Sequence, residues 1–205
     1  MIALIDYGIG NLQAFLNLYQ RLHIPVMVAT TPEHIEQADK LILPGVGHFD
    51  HAMQLFNASV MKSAVIRRVT EDKVPIIGIC VGMQMLAFSS DEGIEPGLGW
   101  VPGRVRSLKN ALSHTQLPMP HMGWNDVFAT HTAPLFKHFS PDDTRFYFLH
   151  SYYFEPENDD YCMAKCEYGI SFSCAVNNGN VYGVQFHPEK SHHFGEQLLK
   201  NFAEL

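Results

Sequence analysis

No run of about eighteen consecutive apolar residues occurs in this chain, so no segment reads as a membrane helix and no membrane partner is expected. The first residues, MIALIDYGIG, carry neither a basic leader nor a small-residue cleavage site, and they read as the opening strand of a cytoplasmic protein. Basic residues are scarce. Fourteen Lys and Arg stand against 21 Asp and Glu, a formal charge of −7 over 205 residues, which leaves no clustered cationic surface for nucleic acid. A protein or a small molecule is the expected partner. Cysteine is sparse too: Cys80, Cys162, Cys166 and Cys174 are too few for a disulfide framework without an export signal, and they read as reduced thiols. Cys162 and Cys166 lie four apart with no CxxC pair beside them, so core packing is assigned over metal ligation. Nothing else groups ligands for a metal or marks an organic cofactor, and neither is expected. The twelve histidines are scattered except for His192 and His193, which read as a solvated pair at a helix start. Internal repeats, low-complexity tracts and Gly/Ser linkers are missing as well, so residues 1–205 are expected to form one domain around one core.

What is present is an alternation of short apolar runs and amphipathic stretches over residues 1–90, the pattern of strand, helix and strand in a parallel sheet. Strands are expected at 2–6, 26–29, 40–43 and 75–79. Asn11 is placed to cap a helix whose Leu12, Phe15, Leu16, Tyr19 and Leu22 share a face. Pro32 starts a short helix, and one helical region is expected from about Asp50 to Asp72. From residue 91 onward Gly93, Pro96, Gly97, Gly99, Pro102 and Gly103 interrupt the chain too often for long helices. Short strands are expected there at 104–108, 122–128, 145–152, 161–168, 171–176 and 181–186. A closing helix from about His193 to Phe202 docks through Leu198, Leu199 and Phe202.

Gly78-Ile79-Cys80-Val81-Gly82 follows a buried strand and precedes a helical pattern. That is the form and context of a nucleophile elbow with cysteine in the serine position. Small residues fit where the turn brings backbones together, and a helix N-terminus behind the sulfur favours thiolate over thiol. A cysteine nucleophile needs a base, and the base an orienting acceptor. His187 and Glu189 supply both: on extended backbone, residues two apart share a face, and Pro188 stiffens the pair. Donors for an oxyanion are available from the N–H of Val81 and from Gly45, Val46 and Gly47. From spacing alone the latter segment reads equally as an ordinary turn.

The motifs IDYGIGN (5–11), LPGVGHF (43–49), GICVGMQML (78–86), PHMGWN (120–125), FLHSYY (148–153) and YGVQFHPEKS (182–191) resemble the class I (triad) glutamine amidotransferases over essentially the whole chain. Within that family they resemble the glutaminase subunits of imidazole glycerol phosphate synthases. The resemblance implies an α/β flavodoxin-like fold: a mostly parallel sheet flanked by helices, with added antiparallel strands in the C-terminal half. It implies that Cys80 is the nucleophile, His187 base then acid, Glu189 the orienter, and Gly45 to Gly47 the oxyanion strand. It places Gln84, Ser151 and Tyr152 in the glutamine pocket. It sets Asn11, Trp124, Tyr147 or a neighbour of it, and Lys190 at a mouth facing a (β/α)-barrel cyclase in a heterodimer. His150 is assigned a structural role. One stretch departs: EGIEPGLGWVPG (92–103), with Val81 after the nucleophile, looks more like paralogues that serve surface-polysaccharide enzymes, which leaves the acceptor open. The competing readings are a cysteine peptidase and a non-catalytic regulatory subunit. Gln84 and HSYY have no purpose in the first, and the intact triad none in the second.

Overall fold

The computed structural model describes residues 1–130, 133–140 and 142–205. In chain order its elements are β1 (Ile2–Ile5), α1 (Leu12–Arg21), β2 (Val26–Ala29), α2 (Pro32–Glu36), β3 (Lys40–Gly45), α3 (Phe49–Ala58), α4 (Lys62–Thr70), β4 (Ile76–Cys80), α5 (Val81–Gln84), β5 (Gly103–Ser107), α6 (Leu108–Ala111), β6 (His121–Asp126), β7 (Phe128–Ala129), β8 (Arg145–His150), β9 (Tyr152–Pro156), β10 (Cys162–Glu167), β11 (Ser171–Asn178), β12 (Val181–Val184) and α7 (His192–Ala203). Among the described residues no helix is long and apolar enough to cross a membrane.

The strands β2-β1-β3-β4-β12 are all parallel, the 2-1-3-4-5 order of a doubly wound sheet, in which ligands bind beyond the carboxyl ends of the strands. The sheet then turns antiparallel through β11, β10 and β7, and β9 and β5 continue from β11. The expected α/β architecture is therefore present, with its antiparallel strands in the C-terminal half. Every residue of β1 and β4 is buried, as a strand covered on both faces requires. Asn11 caps α1, its Oδ1 accepting from Ala14 N at 3.3 Å. Phe15, Leu18 and Tyr19 of α1 face the core, and the Tyr19 hydroxyl donates to Leu199 O at 3.2 Å, which ties α1 to α7.

Several expected boundaries move. The region 50–72 is two helices, broken at Ser59, whose backbone is extended (φ −68°, ψ 135°) while its hydroxyl accepts from Met61 N at 3.2 Å. A serine side chain offers the backbone a non-helical partner. The strand expected at 122–128 divides at buried Val127, whose N–H donates to Thr144 O at 2.8 Å. β6 leaves the main sheet to form a two-stranded ribbon with β8, and β7 alone joins β10. The strand expected at 145–152 divides at Ser151 into β8 and β9. Leu108 leaves its strand to start α6, which Ser107 caps at Asn110 N. Residues 181–186 remain a strand only to Val184.

The ribbon is fixed to the sheet where the chemistry lies. Phe146 of β8 stacks on Phe186 at 3.9 Å between ring centroids. Tyr147 O accepts from His187 N at 2.9 Å, and Tyr147 N donates to Ser191 Oγ at 3.0 Å. The same serine hydroxyl donates to His187 O at 2.6 Å.

Candidate active site

Cys80 ends β4 at φ +55°, ψ −112°, a region that non-glycine residues enter only when the surroundings compel it. Here the compulsion is contact with β3. A Cβ at position 82 would sit 2.0 Å from Leu43 O, and one at position 45 would sit 2.2 Å from Gly82 N. Two glycines therefore let the elbow lie directly on the neighbouring strand, with Gly45 in register with Cys80. The helix behind the sulfur is shorter than expected. It spans a single turn, Val81–Gln84, because residues 86–88 turn away to exchange backbone bonds with 97, 99, 101 and 103. One turn carries little of the macrodipole of a long helix, so the expected dipole support for a thiolate is weak.

His187 brings its ring to the sulfur, and its Nδ1 lies 2.8 Å from Glu189 Oε1. The backbone between them is not the expected extended one, since Pro188–Lys190 form a 3₁₀ turn; the contact is made across the start of that turn. Burial pushes the His187 imidazole down, but hydrogen bonds to Cys80 and Glu189 outweigh it and carry the group up to about 10. At neutral pH the ring is a cation between a sulfur and a carboxylate.

A cleft of about 290 Å³ opens over this cluster, lined by Cys80, His187, Gln84, Ser151 and Tyr152, with Val46, Gly47, Val81, Leu149 and Lys190 around it. The expected pocket and oxyanion residues thus converge on one place, except Gly45, which lies buried beneath as a partner of the elbow. Gln84 Nε2 donates to Tyr152 O at 3.2 Å and to Gln185 Oε1 at 3.1 Å, which commits both of its N–H bonds and leaves its oxygen to accept. A roomier hollow of about 490 Å³ beneath Phe136 and Phe139 has neither cysteine nor carboxylate among its described lining residues.

Two further residues reach the site without a role expected from the sequence. Glu92 lines the cleft while its Oε2 caps α3 at Phe49 N, 2.9 Å away. It sits in the divergent loop 92–103, and only the fold of that loop over α3 brings it here. Gln185 is fully buried and donates from Nε2 to Cys80 Sγ at 3.7 Å. Its place in the motif ahead of His187 is the one signal that could have found it.

Of the residues expected at the mouth, Trp124, Tyr147 and Lys190 come together. Trp124, 43% exposed, lies parallel to the His192 ring at 5.5 Å and edge-on to Tyr147 at 6.4 Å. Lys190 Nζ stands 5.9 Å from the Tyr147 ring centroid. His192 is exposed, as expected of a solvated pair with His193, yet its ring is held by this stack. Asn11 is exposed and engaged as a helix cap rather than lining the cleft. Next to Trp124, Met122 and Leu149 of the ribbon leave apolar surface open at the rim. The remaining cysteines lie in the core, where burial raises Cys162 and Cys174 and lifts Cys166 to about 12; they stay thiols.

His150 has a defined packing role. Its Nδ1 donates to Tyr152 O at 2.8 Å and its Nε2 meets His121 Nδ1 at 2.8 Å. Burial, with His121 beside it, pushes His150 down to about 3, and burial brings His121 to about 4. Both rings are neutral, and with its Nδ1–H given to Tyr152 O and its Nε2 lone pair taken up by His121, His150 has no free basic nitrogen to serve as a second base.

The family model described as glutamine amidotransferase class-I matches residues 3–205. A protein of Bdellovibrio bacteriovorus named imidazole glycerol phosphate synthase subunit HisH is 60% identical over 205 residues, covering the whole of both chains. One of Pseudomonas aeruginosa named imidazole glycerol phosphate synthase subunit HisH 2 is 45% identical over 206 residues, again covering both chains fully. Among solved structures, PurLQS from Thermotoga maritima superposes with a TM-score of 0.75 at 16% identity, covering 99% of this chain and 97% of that one. A glutamine amidotransferase, also from Thermotoga maritima, superposes with a TM-score of 0.66 at 16% identity, covering 99% and 82%.

Proposed function

The chain belongs to the class-I glutamine amidotransferase family, and from that premise we propose that it is the glutaminase subunit of an imidazole glycerol phosphate synthase. It hydrolyses glutamine in the cytoplasm and passes ammonia to a (β/α)-barrel cyclase, bound as a heterodimer, for histidine biosynthesis. The observation that carries the reading is the convergence of Cys80 and His187 on one cleft, with Glu189 bonded to the imidazole, in a chain alike over its full length to proteins of that name.

In this reading the Cys80 sulfur attacks the side-chain amide carbon of glutamine. The carbonyl electrons move onto an oxyanion held by the N–H of Val81 and by the Val46 and Gly47 segment. Because His187 is a cation at rest, its first act is to give a proton to the departing nitrogen; the C–N bond breaks and ammonia leaves. The neutral imidazole then takes a proton from water. The hydroxide attacks the thioester, the C–S bond breaks, and glutamate and the thiolate–imidazolium pair are restored. Glu189 orients the ring throughout. For the substrate's α-ammonium, the acceptors at hand are the oxygen of Gln84 and the second carboxylate oxygen of Glu92, with Ser151 and Tyr152 completing the pocket. The apolar rim of Met122, Trp124 and Leu149, with Tyr147 and Lys190 beside it, supports docking of the cyclase at the mouth.

Treatment with a glutamine-analogue electrophile followed by mass spectrometry tests the glutaminase assignment: label on Cys80 supports it, and an unlabelled Cys80 removes it. The acceptor is tested separately. Rescue of a glutaminase-deficient histidine auxotroph on low ammonium supports the histidine pathway. Failure of rescue, with copurification of a sugar-modifying enzyme, transfers the chain to the surface-polysaccharide paralogues that the loop at 92–103 resembles.

A further inference from the structure

We infer that Gln185 is a further catalytic residue: its side-chain amide donates to the Cys80 sulfur and stabilises the thiolate, in an orientation dictated through Gln84 by the backbone carbonyl of Tyr152, which also anchors the histidine pair of the β6–β8 ribbon. The inference rests on the reading of Cys80 as nucleophile.

The direction of the amide follows from atoms that have no choice. Tyr152 O can only accept, so the Gln84 atom 3.2 Å from it is the NH₂ group. That NH₂ also lies 3.1 Å from the Gln185 amide, so the Gln185 atom facing it is the oxygen. The Gln185 nitrogen is thereby left to face Cys80 Sγ at 3.7 Å. The same carbonyl fixes the other arm. His150 Nδ1–H donates to Tyr152 O, so His150 Nε2 accepts from His121 Nδ1–H, and His121 Nε2 accepts from Asn125 Nδ2 at 3.2 Å. Asn125 Nδ2 is itself anchored on Glu167 O at 2.9 Å. Each tautomer and amide orientation in the chain is set by the next.

The chemistry at the sulfur favours the charged form. A thiolate accepting N–H from an amide gains a charge-assisted bond, whereas a thiol would donate to Leu149 O, 3.9 Å away, or to the His187 ring. The elbow helix is too short to supply that support. Of the titratable groups around the cleft, His187 contacts the sulfur, while Glu92, Lys190, His150 and Tyr152 stand in the lining. Gln185 itself is fully buried, its own N–H bonded to Cys174 O at 2.8 Å, and it does not line the cleft. It therefore acts on the sulfur without meeting glutamine.

The test is the pH dependence of Cys80 alkylation by iodoacetamide in the full chain, read by peptide mass, together with glutaminase kinetics in the cyclase complex. Gln185→Glu keeps size and the acceptor for Gln84 but turns a carboxylate oxygen to the sulfur. It is expected to raise the pH of half-maximal alkylation by about one unit or more. It should lower kcat about 10- to 100-fold with KM within about threefold of wild type. Gln185→Met, which removes the donor without adding charge, should shift both in the same sense by less, and it decides the matter if the Glu variant does not fold. A folded variant whose alkylation profile coincides with wild type overturns the inference and reduces Gln185 to a packing residue. Wild-type protein that does not alkylate at Cys80 overturns instead the reading of Cys80 as nucleophile.

Discussion

The Nδ1 of His187 lies 2.8 Å from Glu189 Oε1, and neither side chain is more than 4% exposed. Burial opposes the charge on the imidazole, but hydrogen bonds to the Cys80 sulfur and to this carboxylate outweigh it and raise the group to about 10. The folded protein therefore holds a proton that the unfolded chain releases near 6.5. The stabilisation is fully present below about pH 6.5 and is lost as pH rises towards 10. In urea titrations, wild-type stability is expected to fall across that window. Glu189→Gln should be less stable at pH 7 and show a shallower alkaline slope; an equal slope in the two proteins contradicts the pairing.

His121 and His150 act in the opposite sense. Burial lowers them to about 4 and about 3, so between about pH 6.5 and 4 the unfolded chain binds protons that the folded one refuses. The stabilisation from these neutral rings is present above pH 6.5 and lost on acidification. A urea midpoint that decreases between pH 7 and 4.5 is expected, with a smaller decrease in His121→Phe. A flat acid profile in wild type contradicts the neutral relay.

The elbow's contact with β3 gives a stability prediction. In Gly82→Ala the new Cβ meets Leu43 O at 2.0 Å, an atom of a buried strand that cannot turn aside. Chemical denaturation should show a loss of about 2–4 kcal/mol, with glutaminase activity falling as Cys80 is displaced. A loss under about 0.5 kcal/mol would mean that the strand yields to the elbow.

The Val46 and Gly47 segment proposed to hold the oxyanion is set differently from the elbow. Val46 is 42% exposed, and Gly47 holds φ +86° with open space around the position of a Cβ. A peptide there is free to turn its N–H away until docking favours the active orientation. The full chain alone is expected to hydrolyse glutamine slowly, and the cyclase to raise kcat at least about tenfold. An unchanged kcat on adding the cyclase contradicts this gating.

What was legible in the sequence depended on local chemistry. Asn11 before an amphipathic run announces its cap, and an apolar strand ending in Gly-Ile-Cys-Val-Gly announces the elbow; both need only neighbours in the chain. The HPE pairing was legible as a contact but not as a conformation, since the 3₁₀ turn after His187 answers to Ser191 and Tyr147. The break at Val127 depends on Thr144. Glu92 reaches the cleft only because Asp50 accepts from Ile94 N and Glu95 N and holds the loop on α3. Gln185 gains its meaning from Gln84, 101 positions away. Such residues become functional through contacts that no local pattern encodes.

Replacement of Cys80 by alanine tests the central claim most directly, assayed in the complex with the cyclase on glutamine and, separately, on ammonium salts. Loss of a nucleophile costs on the order of a millionfold in kcat, whereas the acceptor's chemistry takes place on another chain. Glutamine-dependent turnover is therefore expected to vanish while ammonium-dependent synthesis persists. Glutaminase turnover in Cys80→Ala above about a hundredth of wild type would contradict the account.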